Sequence, residues 1–444
     1  MMLFLGGVEW GHAQESWTLR RCIDYAVEHN IEIQQQELGV DNAEITLNTS
    51  KNSRLPSLGG SANQSFNFGR SMSQGSGIYE VAKAASATQF ALSSSVPVFS
   101  GMKISRQIEV DELNLKAATE NLNKAKENLE LQVTSLYLEA LFKKEIVKVY
   151  QEQLDLTARQ VTRTEALLEA GKVPESQLFD IKAQWAKDQL NLTNACNDRD
   201  LALLTLSQSL NLSGMTDFDI VEPEVDSEQL AVDGVIPDPE RIYETALGIK
   251  PHIKEAQYRL ESSQRNLKVA QSAFWPTLNL GLSYTSGFNQ LLTSGFANPS
   301  VVSQWRDNQR EAIGFNLSIP IFNRLQTRNQ VRQARLEIKN RNLELDNVKL
   351  TLYKEIQQAY QGAVASVSKY RSTQAAYEAA REAFAYAQER YDVGKLAVYE
   401  YSEAQTKLVT SRSEQLQAQY EYLFRTKILD FYRGVPITLE AGEQ

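Results

Sequence analysis

The sequence predicts a mainly α-helical protein with a small β part. Three observations carry that expectation. Two stretches of about seventy residues, 102–170 and 323–393, contain no proline and a single glycine, Gly362. Four segments alternate apolar residues with small or polar ones at a period of two, as a strand with one buried face does. The whole arrangement occurs twice in the 444 residues. Leu55-Pro56-Ser57-Leu58 recurs as Trp275-Pro276-Thr277-Leu278, Val96-Pro97-Val98-Phe99 as Ile319-Pro320-Ile321-Phe322, and Ala170-Gly171-Lys172 as Val393-Gly394-Lys395. The offsets are 220, 223 and 223 residues, which marks an internal duplication.

In chain order, residues 1–8 are apolar apart from their glycines, and Gly11-His12-Ala13 supplies small residues at the spacing of a cleavage site. Residues 1–15 are therefore expected to be the remnant of an export signal whose start lies upstream. A helix is predicted over 18–51. Phe66 and Phe68, then Phe90, Leu92, Val96 and Val98, mark two strands. In the long stretch that follows, Leu115, Ala118, Leu122, Ala125, Leu129, Val133, Leu136 and Ala140 step by three and four residues, a coiled-coil seam. A glycine turn at Gly171 leads to a helix over 175–210. The second half repeats the series: a helix over 240–274, strands marked by Leu278, Leu280, Leu282, Tyr284 and by Ile313, Phe315, Leu317, Ile319, Ile321, and a long helix. Its seam is Val331, Ala334, Ile338, Leu345, Val348, Leu352, Ile356, Ala359 and Ala363. A turn at Gly394 and a helix over 398–432 complete it. The expected organisation is a leader (1–15), a first repeat (16–212), an acidic proline-containing linker (213–238), a second repeat (239–436) and a tail (437–444).

Length arithmetic gives a shape. At ~1.5 Å per residue each long helix runs roughly 105 Å, about twice a short one, so short helices can stack end to end beside long ones. The strands would sit at one end, the glycine turns at the other, and the linker with both termini near the middle. Four strands cannot close a barrel alone and leave edges that hydrocarbon would not tolerate. Three chains give twelve strands, within the range of transmembrane barrels, so long antiparallel coiled-coil helices forming an α-barrel and a 12-stranded trimeric transmembrane β-barrel are the predicted architecture.

Composition narrows the function. A net charge of −9 lacks the basic footprint of a nucleic-acid binder. Mean hydropathy is −0.39, and no apolar run approaches the length of a transmembrane helix. Cys22 and Cys196 stand far apart, and the three histidines are scattered. No nucleotide-binding loop, zinc-protease motif or nucleophile elbow occurs. Neither an enzyme nor a cofactor nor a metal site is expected.

The duplicated architecture, the Pro-aromatic junctions and the glycine turns resemble the outer-membrane efflux protein family typified by TolC, over about residues 16–436. The segment Val393-Gly394-Lys395-Leu396-Ala397-Val398-Tyr399-Glu400-Tyr401-Ser402-Glu403-Ala404 is similar to the family's V-G-x-x-x-x-x-[DE]-x-x-[DE]-A segment. The resemblance implies a passive homotrimeric exit duct in the outer membrane of a Gram-negative bacterium, extending into the periplasm. It would serve a tripartite efflux or type I secretion system, with a periplasmic adaptor and an inner-membrane pump of RND, ABC or MFS type. By the same resemblance Glu400 and Glu403 ring the periplasmic gate, Gly171 and Gly394 turn the chain at the tunnel tip, and an adaptor docks near Lys172 and Lys395. Glutamates stand where aspartates are usual, and Leu396 replaces a basic residue that some members use in closing links.

The residues allow blander readings too. A spacing of three puts Glu400 and Glu403 on one face of a helix start, where the macrodipole alone favours acids. Glu175 and Asp180 on the other turn are read as such, after Pro174. Lysines just beyond helix ends are also ordinary dipole partners. Tyr79 in the loop 70–87, and Phe288, Phe296 and Trp305 in or beside the loop 289–311, serve equally as membrane-surface anchors or as local packing. The competing function is a structural coiled-coil scaffold without channel activity, which has no need of two amphipathic strand pairs.

Overall fold

The computed structural model describes residues 17–69, 71–72, 79–80, 84–212, 218–222, 236–292 and 297–439. The expected leader, most of the linker, Phe296 and the last residues of the tail lie outside the described residues, as does the side chain of Tyr79. The first half contains α1 (Leu19–His29), α2 (Ile31–Asn52), β1 (Ser57–Asn67), β2 (Ser71–Met72), β3 (Tyr79–Glu80), β4 (Ala85–Phe99), α3 (Lys103–Glu169) and α4 (Glu175–Ser209). The second contains α5 (Pro239–Ile249), α6 (Pro251–Ser272), β5 (Thr277–Leu291), α7 (Val301–Asp307), β6 (Arg310–Ser318), α8 (Gln326–Asp392) and α9 (Val398–Tyr432). Helix lengths of 11, 22, 67 and 35 residues appear in that order in both halves.

Two expected helices are broken. The span 18–51 divides at Asn30, which ends α1 in an extended conformation while its Oδ1 accepts the Glu32 N–H at 2.8 Å, capping α2. The span 240–274 divides at Lys250, because Pro251 has no N–H to continue a helix and pushes its predecessor into extended geometry. The loop 289–311 is not all loop either. β5 extends to Leu291, and α7 follows with Ser300 as its N-cap.

The chain forms two compact units, each drawn from both halves of the sequence: Met1–Gly39, Thr119–Lys254 and Asp346–Gln444 make one, Val40–Ala118 and Glu255–Leu345 the other. In the first unit Cys22, Ile23 and Ala26 of α1 pack with Val133, Tyr137 and Leu141 of α3, with Leu206 and Leu210 of α4, and with Phe218, Ile220, Ile437 and Leu439. The start of the chain, the linker and the end of the chain therefore share one core. The Tyr137 hydroxyl lies 2.7 Å from Val221 O and 3.2 Å from Trp17 O, bracing that junction. A second cluster joins Ile242, Ala246 and Ile253 to Leu352, Ile356, Ala363 and Leu429. Beside it the Lys250 ammonium is buried 3.3 Å from the Phe431 ring centroid and 3.3 Å from Glu127 Oε2. Burial pulls Lys250 below the usual lysine range and pushes Glu127 up.

The second unit carries the sheet, with strand order β1-β4-β5-β6 and every pair antiparallel. Its register sorts the side chains. Leu58, Phe90, Leu92, Val96, Leu278, Leu280, Leu282, Ile313, Phe315 and Leu317 fall on one face. The other holds Ser57, Gly59, Ser61, Asn63, Ser93, Ser95, Asn279, Gly281, Ser283, Gly314 and Asn316, with Arg310 its one charged residue. Beyond the end of β6, α7 takes over the edge of β5. Side-chain amides satisfy the strand's backbone there: Asn298 bonds both N and O of Leu291, Gln304 accepts from Asn289 N, and Asn308 donates to Gly287 O. The Trp305 ring packs on Phe90, so this loop aromatic is locally engaged.

The strand-to-helix junctions also repeat. Gly101 and Met102 before α3 take φ of 60° and 64°, and Arg324 and Leu325 before α8 take 55° and 61°. Two consecutive left-handed residues redirect the chain from sheet to helix.

Candidate functional site

The tip of the first unit is built from four helix ends. At the end of α3, Gly171 (φ 69°) donates its N–H to Leu168 O and Lys172 to Leu167 O, both at 2.9 Å. At the end of α8, Gly394 (φ 74°) donates to Tyr391 O at 3.0 Å and Lys395 to Arg390 O at 2.9 Å. Both are Schellman caps, in which the left-handed residue lets two N–H groups satisfy the last carbonyls of the helix. Each glycine thus sits beside its lysine in one capping motif, and both lysines are exposed. Nothing lies within 4 Å of an added Cβ at either glycine, so the requirement for glycine is conformational.

Three residues beyond each turn a new helix starts, at Pro174 for α4 and Ala397 for α9, neither supplying a side-chain cap. Uncapped N–H groups leave the dipole end available to acids, and Glu175 and Glu400 occupy the two first turns. Glu400 and Glu403 are both exposed on α9, without an ion pair or hydrogen bond among the described residues. Between them Tyr401 is 1% exposed, packed with Ile181, Phe384 and Tyr391. Its ring stacks on Tyr391 at 4.6 Å. Burial raises its phenol to about 12, so the ring stays neutral and fixes the rotation of α9 with both carboxylates turned outward. Asp180 and Glu175 on α4 are exposed as well, but no tyrosine separates them.

A polar seam lies behind that surface. Asp188 of α4 is 2% exposed and accepts from Thr157 Oγ1 at 2.7 Å, Gln184 Nε2 at 2.9 Å and Gln153 Nε2 at 3.3 Å. Gln405 of α9 donates to Thr157 Oγ1 at 3.1 Å, and Gln160 reaches the Tyr401 hydroxyl. The Oε1 of Gln160 is buried with no partner of its own. One ion pair joins the ends of the long helices: the Arg163 guanidinium bonds the Asp392 carboxylate and donates to its carbonyl at 2.8 Å. Sequence reasoning did not find these groups. Gln153, Thr157, Gln160 and Thr164 continue the seam spacing of α3 with polar residues, and that spacing is the signal that could have revealed them.

Among the described residues no cluster of His, Cys, Asp and Glu could hold a metal. No helix among them is long and apolar enough to cross a membrane.

Comparison with known proteins gives consistent results. A family model described as "Outer membrane efflux protein" matches residues 22–212 and again 242–432. The outer membrane efflux protein BepC of Brucella suis is 22% identical over 429 residues, covering 95% of this chain and 86% of that protein. The Campylobacter jejuni CmeC outer membrane channel aligns with a TM-score of 0.72 at 19% identity, over 94% of this chain and 85% of that one. The outer membrane protein VceC of Vibrio cholerae aligns at 0.73 and 17% identity, over 94% and 96%. The family model matches the helices and glycine turns of both halves, so the chain belongs to the outer membrane efflux protein family and is an outer-membrane channel of the tripartite efflux and secretion type.

Proposed function

We propose that three copies of this chain close into one conduit, gated at the helix turns by Glu400 and Glu403. The observation that carries the assembly is a pair of unpartnered stripes. Ile31, Leu38 and Ile45 on α2 recur every seven residues and are 60, 66 and 64% exposed. Leu336, Leu343 and Leu350 on α8 do the same at 64, 68 and 66%. A heptad stripe of this kind buries itself in a facing helix. These helices flank β1 and β6, the two open edges of the sheet. Pairing α8 and β6 of one copy with α2 and β1 of the next satisfies stripe and edge together, and three copies supply twelve strands.

The chain needs no catalysis of its own, and the driving energy comes from an inner-membrane pump through a periplasmic adaptor. The exposed turns around Lys172 and Lys395 are the surface such an adaptor would use. The pair Arg163–Asp392 holds the ends of α3 and α8 together and would help keep the turns closed.

In a threefold assembly Glu400 and Glu403 form two stacked rings of carboxylates around a narrow aperture, which favours cations and binds polyvalent ones. The channel is expected to be cation-selective and to be blocked by a trivalent cation added from the side of the turns. Glu400→Ala with Glu403→Ala removes the block and leaves assembly intact, since both groups face water and support no core. Single-channel conductance in a planar bilayer, with the cation added to each side in turn, is the test. An unchanged block in the double variant places the gate elsewhere.

A further inference from the structure

The second unit contains a cleft of about 560 Å³ between the end of α6 and the start of α8, lined by Gln271, Phe274, Trp275, Arg328, Val331, Arg332 and Arg335. It lies where helix gives way to sheet, since Trp275 is two residues before β5. We propose that this cleft binds the phosphodiester headgroup of an anionic phospholipid from the periplasm-facing leaflet. The proposal rests on the sheet being the part of the chain that crosses the bilayer.

Three features of the cleft support it. First, its charge is uncompensated. Arg328, Arg332 and Arg335 are exposed, and none has a hydrogen bond or ion pair among the described residues. Buried or clustered guanidiniums are ordinarily paired, and planar forked donors match phosphate oxygens. Second, the charge is local to this level of the protein. The chain carries −9 overall, yet residues 326–335 of α8 hold these three arginines and no acid. Lys103 and Arg106 at the start of α3 and Lys268 near the end of α6 add to it, while Arg265, one turn further from the sheet, is already paired with Glu109 and Glu261. One turn further along α8, Glu337 and Glu344 pair with Arg341, so the basic character ends there. A basic collar confined to the helix ends next to membrane strands is the charge pattern that an anionic leaflet attracts.

Third, the guanidiniums stand beside exposed aromatic surface. Phe274 and Trp275 are 56 and 57% exposed. Large apolar rings next to arginines are unfavourable in a water-filled lumen and favourable at a lipid–water boundary, where rings sit at headgroup level. The chain passes close behind the ring at Gly101, where an added Cβ would lie 2.7 Å from the Trp275 Cβ. The cleft thus offers exposed rings for the glycerol and upper acyl region, and three forks for the phosphate.

The test is native mass spectrometry of the detergent-extracted assembly, titrated with phosphatidylglycerol or with phosphatidylcholine, for the wild type and for Arg328→Gln/Arg332→Gln/Arg335→Gln. The expected result is retention of phosphatidylglycerol at a concentration at least about tenfold lower than phosphatidylcholine, with the preference lost in the triple variant and weakened by salt. Trp275→Ala is expected to lower retention of both lipids alike. Equal retention of the two lipids by the wild type, or an undiminished preference in the triple variant, overturns the proposal. Dissociation of the triple variant into single chains also overturns it, because the arginines would then serve a contact between copies. So does displacement of the lipid by inorganic phosphate at equal concentration. Planar-bilayer conductance of the same samples separates the two readings: a conducting wild type without lipid preference defeats the headgroup site and leaves the channel standing.

Discussion

Arg324 holds a left-handed φ of 55° at the place where the first half of the chain has Gly101 at 60°. A side chain in that conformation costs roughly 1–2 kcal/mol, part of which glycine gives back through its freer unfolded state. Arg324→Gly is therefore expected to stabilise the protein by about 0.5–1 kcal/mol. Gly101→Ala is expected to destabilise it by more, since its Cβ would lie 2.8 Å from Ser272 O. Thermal unfolding in detergent reads both, and a lower midpoint for Arg324→Gly refutes the strain. A second residue sets a pH dependence. Burial, with help from Lys124 and Lys250, holds His252 down at about 4 against an ordinary 6.5. Below pH 6.5 the unfolded chain takes up a proton that the native imidazole refuses, so stability falls as pH drops from about 6.5 to about 4 and is level beneath. After allowance for solvent the loss is roughly 1 kcal/mol. His252→Gln should flatten the change in melting midpoint between pH 7 and pH 5; an identical slope in the variant assigns it to other groups.

At the scale of elements, the two faces of the sheet make opposite demands. Leu280 shares a face with Val96 and Phe315, Asn279 with Pro97 and Asn316. Charge on the lipid side of a barrel near mid-bilayer costs roughly 2–4 kcal/mol, somewhat less for Asp. Leu280→Asp is expected to reduce the folded, membrane-inserted fraction well below that of Asn279→Asp, measured by heat-modified gel mobility; equal loss means that the faces are reversed. These faces were legible in the sequence because strand parity assigns every residue to a side. The seams were legible for a similar reason: Val133, Leu352 and Ile356 are fully or almost fully buried. The break at Asn30 was missed because the apolar pattern continues through it and only cap chemistry interrupts it, whereas Pro251 was a legible signal for the break at Lys250 that the length of the periodic stretch outweighed. At the tip, Gly171 and Gly394 announce themselves by residue type. Arg163–Asp392 does not, since its partners are 229 residues apart and a local pattern contains no trace of them.

For the whole molecule, the exposed stripes on α2 and α8 are where the proposed assembly can be tested. Leu343→Asp places a charge in a seam that the next copy is expected to cover, and should shift the detergent-extracted protein from three chains to one. Light scattering of the purified protein measures this directly; an unchanged mass with Leu343→Asp leaves the stripe without a role in assembly. Trimer closure was inferred from strand number, whereas the stripes escaped the sequence reading because exposed and buried heptads look alike until a fold separates them. The polar face of the sheet has a consequence for the cell. Serine, glycine, alanine and asparagine line it, with neither a carboxylate nor an aromatic ring among the paired positions and Arg310 as the lone charge. In the proposed conduit a smooth bore of that kind would pass cargo without sorting it, so one pipe could serve several engines and traffic could run backwards through it. If the turns are the gate proposed above, all the discrimination rests on their being shut when no engine is attached: a bacterium whose Glu400 end stayed open would have a hole in its wall, through which large antibiotics would enter by diffusion alone.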